Sequence, residues 1–264
     1  MSVLSIVAFI LVMTNTFVNN SETYLYNGKQ NLNNVDKKLN VIIPVRNRDK
    51  DLDKITDVLE DIFKKQGISA KYTIIEQEPG KAFNKAMISN VGFLEAEKDN
   101  YSVNYLFQDV DVWPNDHNII NYRDVDSSSI RHPYGYDGCL GCFFLLTSEI
   151  FKKLNGYSNE YWGWGAEDTD IAYRAKILKI PIDQKNFIER YSKQNKFSDD
   201  ISHTGTKDPH KFKTSHDFLK IKQKQYKQNI QNIFMDGLSN VHYQVRTKYD
   251  YKNKPNMKRI LISI

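Results

Sequence analysis

The stretch LNVIIPV, residues Leu39 to Val45, is the part of the sequence that decides the fold. It is apolar except for Asn40, and a short continuous apolar run is typical of a strand that is buried on both faces. The next four residues, RNRD, interrupt the run. Apolar residues then recur at positions 52, 55, 58, 59 and 62, which is the spacing of one helix face. This segment therefore predicts a buried strand followed by an amphipathic helix.

The same order repeats further along the chain. A second strand pattern from Tyr72 to Ile75 leads through Pro79 and Gly80 into a helical pattern from about Phe83 to Glu97. Strands that alternate with helices are typical of an α/β sheet with parallel strands, and such sheets bind ligands where the strands end. Further strands are predicted at Asn104 to Phe107, at Phe143 to Leu146, at Ile180 to Glu189 and in the alternating residues at the end of the chain, with a short helix from Ser148 to Leu154 and a polar loop from Lys207 to His216.

The composition suits a folded core, since 40% of the 264 residues are hydrophobic and 12% are aromatic. The net charge of +5 is modest and gives no reason to expect a nucleic-acid partner. The basic residues between positions 220 and 227 are expected to form the solvated face of a helix. Cys139 and Cys142 are the two cysteines, which excludes a disulfide-rich scaffold and a four-cysteine zinc site. Their spacing matches a redox motif, but the strand-to-helix context of such motifs is not evident around them.

The first forty residues differ in character from the rest. Residues 3–18 are mostly apolar, but this is short for a membrane span, which needs roughly 20 residues. A membrane anchor, a cleaved signal peptide and an ordinary buried segment are all open interpretations. We divide the chain into a hydrophobic segment at 1–20, a polar linker at 21–38 and a globular domain at 39–264.

The triplet Asp109, Val110 and Asp111 directly follows one of the predicted strands and Gln108. Side chains two positions apart in extended backbone point to the same side, so the two carboxylates are expected to face one site. Two anionic oxygens at the end of a strand can bind a hard divalent cation, which can bridge to phosphate oxygens. A D-x-D triplet occurs often by chance, and its place after an apolar strand makes the signal more specific.

The most unusual stretch is YWGWGAEDTD, residues Tyr161 to Asp170. Glycine lets the backbone approach a ligand, and tryptophan offers a flat apolar face of the kind on which sugars stack. Glu167, Asp168 and Asp170 open a predicted helix, where negative charge suits the positive end of the helix dipole. A glycine-rich turn into an acidic helix cap is the simpler interpretation, but a cap does not require two tryptophans.

Together, the D-x-D triplet and this decapeptide resemble the β-1,4-galactosyltransferase family, glycosyltransferase family 7, which carries D-x-D and W-G-W-G-G-E-D-D-D in the same order. The resemblance runs from about Asn40 to Ile264. It implies that residues 39–264 form a single GT-A type catalytic domain, an α/β fold with a mixed, mostly parallel sheet flanked by helices. It also implies an inverting, metal-dependent enzyme that transfers galactose from a UDP-sugar donor to a hydroxyl group of a carbohydrate or glycoconjugate acceptor.

The resemblance assigns donor-binding roles to residues at four places in the family pattern. These are the P-F-R-N-R segment, an aromatic ring near uracil, the D-x-D triplet and a tryptophan that forms an apolar wall beside the sugars. These residues are Pro44, Arg46, Arg48, Phe83, Asp109, Val110 and Trp164. Two arginines suit a diphosphate because guanidinium groups bind oxyanions in a bidentate manner. Surface arginines that solvate a loop, and core packing of Phe83, are the alternative interpretations.

The sugars would contact residues of the decapeptide and of a segment that matches the family's Y-F-G-G, namely Cys139, Cys142, Gly165, Glu167 and Asp168. Asp168 matches the family's catalytic carboxylate and would take the proton of the acceptor hydroxyl. Cys139 stands where typical members have a tyrosine that crowds C2 of the donor sugar. The smaller residue implies that N-acetylgalactosamine is also accepted.

The resemblance implies that a divalent metal, Mn²⁺ by preference, is bound by Asp111 and His203. Asp200 is a further candidate ligand, although the best-known members have a methionine there. A carboxylate is a better ligand for a hard cation than a thioether.

Two other functions stay open. One is transfer of an N-acetylhexosamine by the same fold, as in chondroitin-polymerising relatives. The other is a catalytically silent sugar-binding protein, against which the joint presence of Asp111, Asp168 and His203 argues. In a eukaryote, the resemblance implies the secretory pathway, either in a Golgi-like membrane through residues 3–18 or in the lumen.

Overall fold

The computed structural model describes residues 37–163, 165–190, 196–199 and 209–264. The strands in these ranges are β1 (Lys37–Val45), β2 (Ile68–Gln77), β3 (Asn104–Gln108), β4 (Val112–Pro114), β5 (Ile130–Gly135), β6 (Phe143–Thr147), β7 (Ile182–Asp183), β8 (Ile188–Glu189), β9 (Phe197–Asp199), β10 (Gln244–Tyr251) and β11 (Lys254–Ser263). The helices are α1 (Asp49–Gln66), α2 (Lys85–Glu97), α3 (Ser148–Lys153), α4 (Glu167–Ile177) and α5 (Pro209–Gln228), with short 3₁₀ helices at Ile230–Ile233 and Leu238–Asn240.

Nine strands of the described ranges form one mixed sheet. Their order is β10-β11-β2-β1-β3-β6-β5-β7, and β8 also pairs with β5. The run β11-β2-β1-β3 is parallel throughout, and β7 and β8 are parallel to β5. β6 is antiparallel to both β3 and β5, and β10 is antiparallel to β11. β4 and β9 form a separate antiparallel pair. The predicted mixed, mostly parallel sheet is confirmed.

The central strand β1 is covered by helices on both faces. Val41, Ile43 and Val45 pack in one cluster with residues of α1. Ile42 packs in a second cluster with residues of α2, α3 and α4. All four side chains are at most 1% exposed. Burial on both faces explains why this strand is a continuous apolar run in the sequence, and it confirms the predicted placement of helices on both sides of the sheet.

Helix α2 packs closely on the sheet at Gly92. A Cβ atom at this position would lie 2.6 Å from Cγ2 of Ile42 and 2.9 Å from Cγ1 of Ile75. Glycine in a helix costs about 1 kcal/mol relative to alanine, so its presence here is explained by the close approach of helix and strands. The contact fixes α2 on β1 and β2, and thereby fixes the position of the first turn of α2 at the edge of the sheet.

A buried ion-pair network joins α4 to α5. Arg174 of α4 is fully buried, and its guanidinium donates to the carboxylate of Asp170 at 2.9 Å. It also donates to the hydroxyl group of Tyr226 in α5 at 3.0 Å and to the main-chain oxygen of Asp236 at 2.9 Å. Asp170, the last carboxylate of the decapeptide, is therefore part of the structural network that sets the position of α4.

Two predictions for the second half of the chain are wrong. The segment Ile180 to Glu189 is not one strand, because it contains the short strands β7 and β8 with a turn between them. The predicted polar loop at 207–216 is helical from Pro209 onward, since α5 begins there. Proline is favoured in the first turn of a helix, where its missing N–H group would have no partner anyway.

The basic face of α5 is only partly solvated. The side chain of Lys220 is 76% exposed, as predicted. Lys222 is buried and lies 2.9 Å from Oδ2 of Asp236. The prediction of a solvated face is therefore wrong for Lys222, because α5 packs against the loop that carries Asp236.

The candidate anchor at residues 3–18 and the whole hydrophobic segment at 1–20 lie outside the described residues. Within the described ranges, no helix is long and apolar enough to cross a membrane. Most of the predicted linker also lies outside, and its last two residues, Lys37 and Lys38, already belong to β1.

Candidate active site

The loops that carry the predicted site residues meet at one edge of the sheet. β1, β2 and β3 are parallel neighbours, so their carboxyl ends lie side by side. β6 is antiparallel to β3, with Phe143 opposite Gln108, so the residues before β6 reach the same edge. The first turn of α4 lies there too, because the amide of Leu140 donates to the carbonyl oxygen of Asp168 at 2.9 Å.

Lys85, in the first turn of α2, lies at the centre of an acidic cluster. Its ammonium group is 2.9 Å from Oδ2 of Asp168, 3.0 Å from Oδ1 of Asp109 and 3.6 Å from Oε1 of Glu167. Burial disfavours the charge of the lysine, but the attraction of the three carboxylates outweighs it and raises the pKa of Lys85 well above its usual value. The lysine therefore stays charged and holds three predicted site residues together.

Asp168 has one oxygen that the protein leaves unsatisfied. Oδ2 bonds to Lys85, whereas Oδ1 is buried and has no hydrogen-bond partner among the described residues. Burial raises the pKa of Asp168 well above its ordinary value; Lys85 opposes this rise, and the charges of Glu167 and Asp109 add to it. A carboxylate with a raised pKa and an unsatisfied oxygen is suited to accept a proton.

Arg48 and Asp111 form a second charged pair beside this cluster. Nη2 of Arg48 lies 3.3 Å from Oδ2 of Asp111, and Nε donates to Oδ2 of Asp51. Burial raises the pKa of Asp111, and the nearby charge of Asp109 adds to the rise. β3 ends at Gln108, and Val110 and Asp111 lie in a turn and not in the extended backbone that the prediction assumed. The two carboxylates of the triplet consequently contact different cations.

Arg46 and Phe83 lie together at the ends of β1 and of the loop after β2. The guanidinium carbon of Arg46 is 5.1 Å from the centroid of the Phe83 ring, and Nη1 donates to the carbonyl oxygen of Lys81 at 2.8 Å. The Phe83 ring is partly buried against a core cluster that includes residues of α2 and β11. Pro44 and Val110 are buried, and Val110 packs in the core with α1, so its side chain does not face the site.

The loop of the decapeptide is attached to the loop that carries Phe83, because the amide of Gly163 donates to the carbonyl oxygen of Phe83 at 2.7 Å. Gly163 and Gly165 have φ angles of 90° and 102°, which strongly favour glycine. Ala166 has a φ of 76° at the position where the family has its second adjacent glycine. The glycines of this motif are therefore explained by the backbone conformation of the loop.

The segment Cys139–Cys142 contacts the acidic cluster through its backbone. The amide of Cys142 donates to Oδ2 of Asp109 at 3.1 Å, and the amide of Asp109 donates to the carbonyl oxygen of Cys142 at 2.8 Å. A Cβ atom on Gly141 would lie 3.1 Å from Oδ2 of Asp168, so any side chain at this position would crowd that carboxylate. The segment therefore forms one wall of the site.

The two thiols are free, and burial raises the pKa of both above the usual value for cysteine. Cys142 is buried, whereas Cys139 is half-buried and its thiol lies 3.5 Å from the carbonyl oxygen of Tyr136. Thiols of raised pKa are poor nucleophiles near neutral pH, because the thiolate is the reactive form. Their environment thus gives no support to a catalytic dithiol.

Asp111 is the one candidate metal ligand that the structure describes. Asp200 and His203 lie outside the described residues, as does Trp164. β9 ends at Asp199, which pairs with Val112, the residue directly after Asp111. The described end of β9 is therefore beside the D-x-D triplet. Among the described residues, no group of three or more His, Cys, Asp or Glu side chains is arranged to hold a metal ion.

Lys85 is the site residue that the sequence analysis missed. Cations are unfavourable near the positive end of a helix dipole, and α2 has no acidic residue in its own first turn. A lysine at such a position indicates anions supplied by other parts of the fold. This was the signal available in the sequence, but the partners of Lys85, which come from the residue after β3 and from α4, could not be identified without the tertiary structure.

Comparison with known proteins identifies the family of this chain. Residues 12–123 match the N-terminal region of glycosyl transferase group 7, and residues 122–202 match a family described as the N-terminal domain of galactosyltransferase. The chain is 35% identical to human β-1,4-galactosyltransferase 4 over 153 residues, which are 55% of this chain and 44% of the relative. It is 32% identical to human β-1,4-galactosyltransferase 2 over 216 residues, which are 78% of this chain and 54% of the relative.

The fold matches a solved structure over most of its length. The catalytic domain of Drosophila β-1,4-galactosyltransferase 7, crystallised with xylobiose, superimposes with a TM-score of 0.72 and 23% identity, covering 87% of this chain and 94% of that one. This match confirms the GT-A type fold. The chain spans about half the length, or less, of the relatives that it matches in sequence. On these matches and its motifs, the chain belongs to the β-1,4-galactosyltransferase family, glycosyltransferase family 7.

Proposed function

We propose that this protein transfers galactose from UDP-galactose to a hydroxyl group of a carbohydrate acceptor, with inversion at the anomeric carbon. Family membership supports this chemistry, because the human relatives are named for galactosyl transfer. The observation that carries the proposal is the state of Asp168, whose buried Oδ1 has no partner among the described residues and whose pKa is raised by burial. A residue held in this state is suited to general-base catalysis.

The reaction that fits this geometry is a single displacement. The acceptor oxygen attacks the anomeric carbon from the face opposite UDP, and the bond from that carbon to the diphosphate oxygen breaks as the new bond forms. The hydroxyl proton passes to Asp168, and the electron pair of the broken bond leaves with UDP. Lys85 keeps the carboxylate of Asp168 in place at 2.9 Å and partly offsets its charge.

The remaining site residues provide binding contacts of suitable chemistry. Arg46 and Arg48 directly follow the end of β1, and their guanidinium groups suit the diphosphate of the donor. Phe83 offers its ring to the uracil base of the donor, and the guanidinium carbon of Arg46 lies 5.1 Å from the centroid of that ring. Glu167 and Asp109 lie beside Asp168 around Lys85, where carboxylates can accept hydrogen bonds from the hydroxyl groups of the sugar.

A divalent cation fits the charge of the site. Around Lys85 and Arg48 the structure places five carboxylates, those of Asp51, Asp109, Asp111, Glu167 and Asp168, so anions outnumber these two cations. Burial raises the pKa of Asp111 and the charge of Asp109 adds to the rise, and a cation bound there would favour the ionised carboxylate. We propose that Asp111, Asp200 and His203 hold Mn²⁺, an ion suited to oxygen and imidazole ligands. When bound, the cation would neutralise charge on the leaving diphosphate.

Transfer of N-acetylgalactosamine is the second candidate function. Cys139 is half-buried in the wall of the site. It is much smaller than the tyrosine of typical family members, so a larger substituent on C2 of the donor sugar would be less crowded there. A relative from Lymnaea stagnalis is named as a β-N-acetyl-D-glucosaminide β-1,4-N-acetylglucosaminyl-transferase and is 34% identical over 158 residues, which are 56% of this chain and 32% of that relative. The name of that relative describes transfer of an acetamido sugar.

Release of UDP in the presence and absence of an acceptor sugar is the direct test of the proposed function. UDP-galactose and UDP-N-acetylgalactosamine are each offered with a panel of monosaccharide and disaccharide acceptors. We expect release that depends on the acceptor, disappears with a chelator and returns best with Mn²⁺. Binding of UDP-sugar without turnover under all conditions would instead identify a silent sugar-binding protein.

We further propose that the protein acts in the secretory pathway, in keeping with the family resemblance, with residues 3–18 as an anchor or a cleaved signal. A fluorescent protein fused after residue 38 tests this proposal. Retention in Golgi-like membranes supports an anchor, secretion supports a cleaved signal, and a diffuse cytosolic signal contradicts both.

A further inference from the structure

His132 is a buried polar side chain that the proposed reaction does not use. It lies in β5, is 0% exposed and packs against Phe187 with 5.3 Å between ring centroids. Burial lowers the pKa of His132 below its usual value, so its ring is neutral at physiological pH. A neutral imidazole has one donor and one acceptor nitrogen, and buried polar atoms of this kind normally have partners.

The contact with Gly141 assigns the roles of the ring nitrogens. A carbonyl oxygen can only accept, so Nε2, which lies 3.1 Å from the carbonyl oxygen of Gly141, carries the proton and donates to it. In the neutral ring Nδ1 is then the acceptor nitrogen, and Nε2 of Gln184 lies 3.5 Å from it. The contact with Gly141 is tightly enclosed, since a Cβ atom on Gly135 would lie 2.8 Å from Nε2 of His132 and 3.0 Å from that carbonyl oxygen.

The carbonyl oxygen of Gly141 also closes a strained turn. The amide of Phe143 donates to it at 2.9 Å, and the residue between them, Cys142, has a φ of 69°. A hydrogen bond across three residues with a central φ near +75° is the rare, strained form of the γ-turn. A left-handed non-glycine residue costs of order 1–3 kcal/mol and persists only where surrounding contacts fix it. The second donor, from His132, is such a contact.

This turn sets the main-chain wall of the acidic cluster. The amide of Cys142 donates to Oδ2 of Asp109 at 3.1 Å, and the amide of Leu140 donates to the carbonyl oxygen of Asp168 at 2.9 Å. Between them lies Gly141, where a Cβ atom would come within 3.1 Å of Oδ2 of Asp168. A movement of the turn would therefore change the surroundings of both carboxylates at once.

We propose that His132 is a positioning residue, whose Nε2–H group holds the strained turn Gly141–Phe143 in the shape that receives the sugar of the donor. The inference rests on the proposed function, because it concerns how one wall of that same site is kept in place. His132 acts through the backbone of Gly141 and touches no reacting atom. Its effect is expected on sugar binding and not on the nucleotide.

Glutamine and asparagine at position 132 form a matched pair that tests this role. The longer side chain of His132→Gln places an amide nitrogen near the position of Nε2, whereas the shorter side chain of His132→Asn reaches only the position of Nδ1. Calorimetry measures the affinity for UDP and for UDP-galactose in each variant. Galactose is expected to increase the affinity of the wild type for UDP. We expect this increase to be roughly tenfold smaller in His132→Asn, which corresponds to the loss of one hydrogen bond, while the affinity for UDP alone stays unchanged. In His132→Gln most of the increase should remain.

A second comparison repeats the measurement in a Cys142→Gly background. Glycine adopts a positive φ without strain, so the turn should depend less on His132 in that background. We expect the loss caused by His132→Asn to be smaller in the double variant than in the single one, and this coupling is what a double-mutant cycle measures.

Several outcomes would overturn the inference. In one, galactose increases the affinity for UDP by the same factor in both His132 variants as in the wild type. In another, both variants lose affinity for UDP and for UDP-galactose equally. Unfolding of His132→Asn in both backgrounds would assign the residue to fold stability alone. A wild-type protein that gains no affinity from galactose and turns over no UDP-sugar would instead contradict the proposed function, which separates the two failures.

Discussion

Asp168 and Asp170 stand two positions apart at the start of α4, and their surroundings differ. The carboxylate of Asp170 is completely satisfied, with Arg174 at 2.9 Å and the hydroxyl group of Tyr161 at 3.2 Å. Asp168 keeps one buried oxygen without a partner in the described residues and shares Lys85 with two other carboxylates. A paired buried charge serves the fold, whereas an unsatisfied one lowers stability and indicates a function. Neighbouring acidic residues of one motif thus differ in whether the fold satisfies them.

The largest expected effect is on stability, at Asp170. Asp170→Asn leaves the buried guanidinium of Arg174 without its anionic partner in the same helix, and we expect the free energy of unfolding to fall by about 3–5 kcal/mol. Asp217→Asn is the control, because Asp217 pairs with Lys220 on the exposed face of α5. Loss of this exposed pair should lower the free energy of unfolding by less than about 1 kcal/mol. Denaturant titration of both variants measures the difference, and equal costs would contradict the structural role of Asp170.

The next largest effect is on turnover, at Asp168. Asp168→Asn preserves size and removes basicity, so turnover should fall by about 10²-fold or more while UDP affinity changes little. Because the pKa of Asp168 is higher in the folded than in the unfolded protein, its ionisation lowers stability. This loss of stability grows as pH rises from the pKa of Asp168 in the unfolded chain to its pKa in the folded protein. The variant should therefore be at least as stable as the wild type at neutral pH. Near-normal turnover in Asp168→Asn, with a large loss in Glu167→Gln, would assign the base to Glu167.

A smaller effect is expected in the pH profile. The base must be ionised, so turnover should rise with pH through the pKa of Asp168 and then level off. Lys85 opposes the raised pKa of Asp168. Lys85→Met should therefore move the rising limb of the profile to higher pH, whereas Lys85→Arg should move it less. Profiles of kcat for the two variants and the wild type make the comparison. An identical limb in all three would show that Lys85 does not act on this carboxylate.

The smallest expected effect concerns the choice of donor sugar and is expected at Cys139. Cys139→Tyr fills the space beside the donor sugar, so it should reduce kcat/KM for UDP-N-acetylgalactosamine by roughly tenfold relative to UDP-galactose. Cys139→Ser, which keeps the small volume, is the matched control. Competition assays with both donors measure the ratio. A wild type that refuses the acetamido donor, with no change of preference in Cys139→Tyr, would show that other residues shape the pocket.

Local sequence patterns were sufficient for much of the fold. The apolar run at Leu39 to Val45 is buried on both faces, and the spacing after it corresponds to α1. Patterns failed where a polar composition conceals a helix, as at Pro209, or where a basic residue such as Lys222 finds a buried partner from a distant loop. Both errors have the same cause, because tertiary contacts decide the environment of polar residues and sequence spacing does not reveal them.

The candidate site was predictable to a similar extent. The acidic residues Asp109, Glu167 and Asp168 were identified from motifs, and the fold brings them around one cation. Lys85 was missed because its partners come from other elements of the fold. His132 had no role in the sequence analysis, since its contact is to a backbone oxygen nine positions away, which no side-chain pattern encodes.

The parallel pairing of β11 with β2 has a consequence for the order in which the protein folds. Met257 lies opposite Tyr72, and Arg259 bonds to Glu76 across 183 residues of chain. During synthesis, the free edge of β2 stays open until these late residues leave the ribosome. Long-range parallel pairing of this kind is slow to form, and open strand edges attract other chains in the meantime. The sheet is therefore completed only after translation of β11, and chaperones that shield strand edges should matter most to this protein just before that moment.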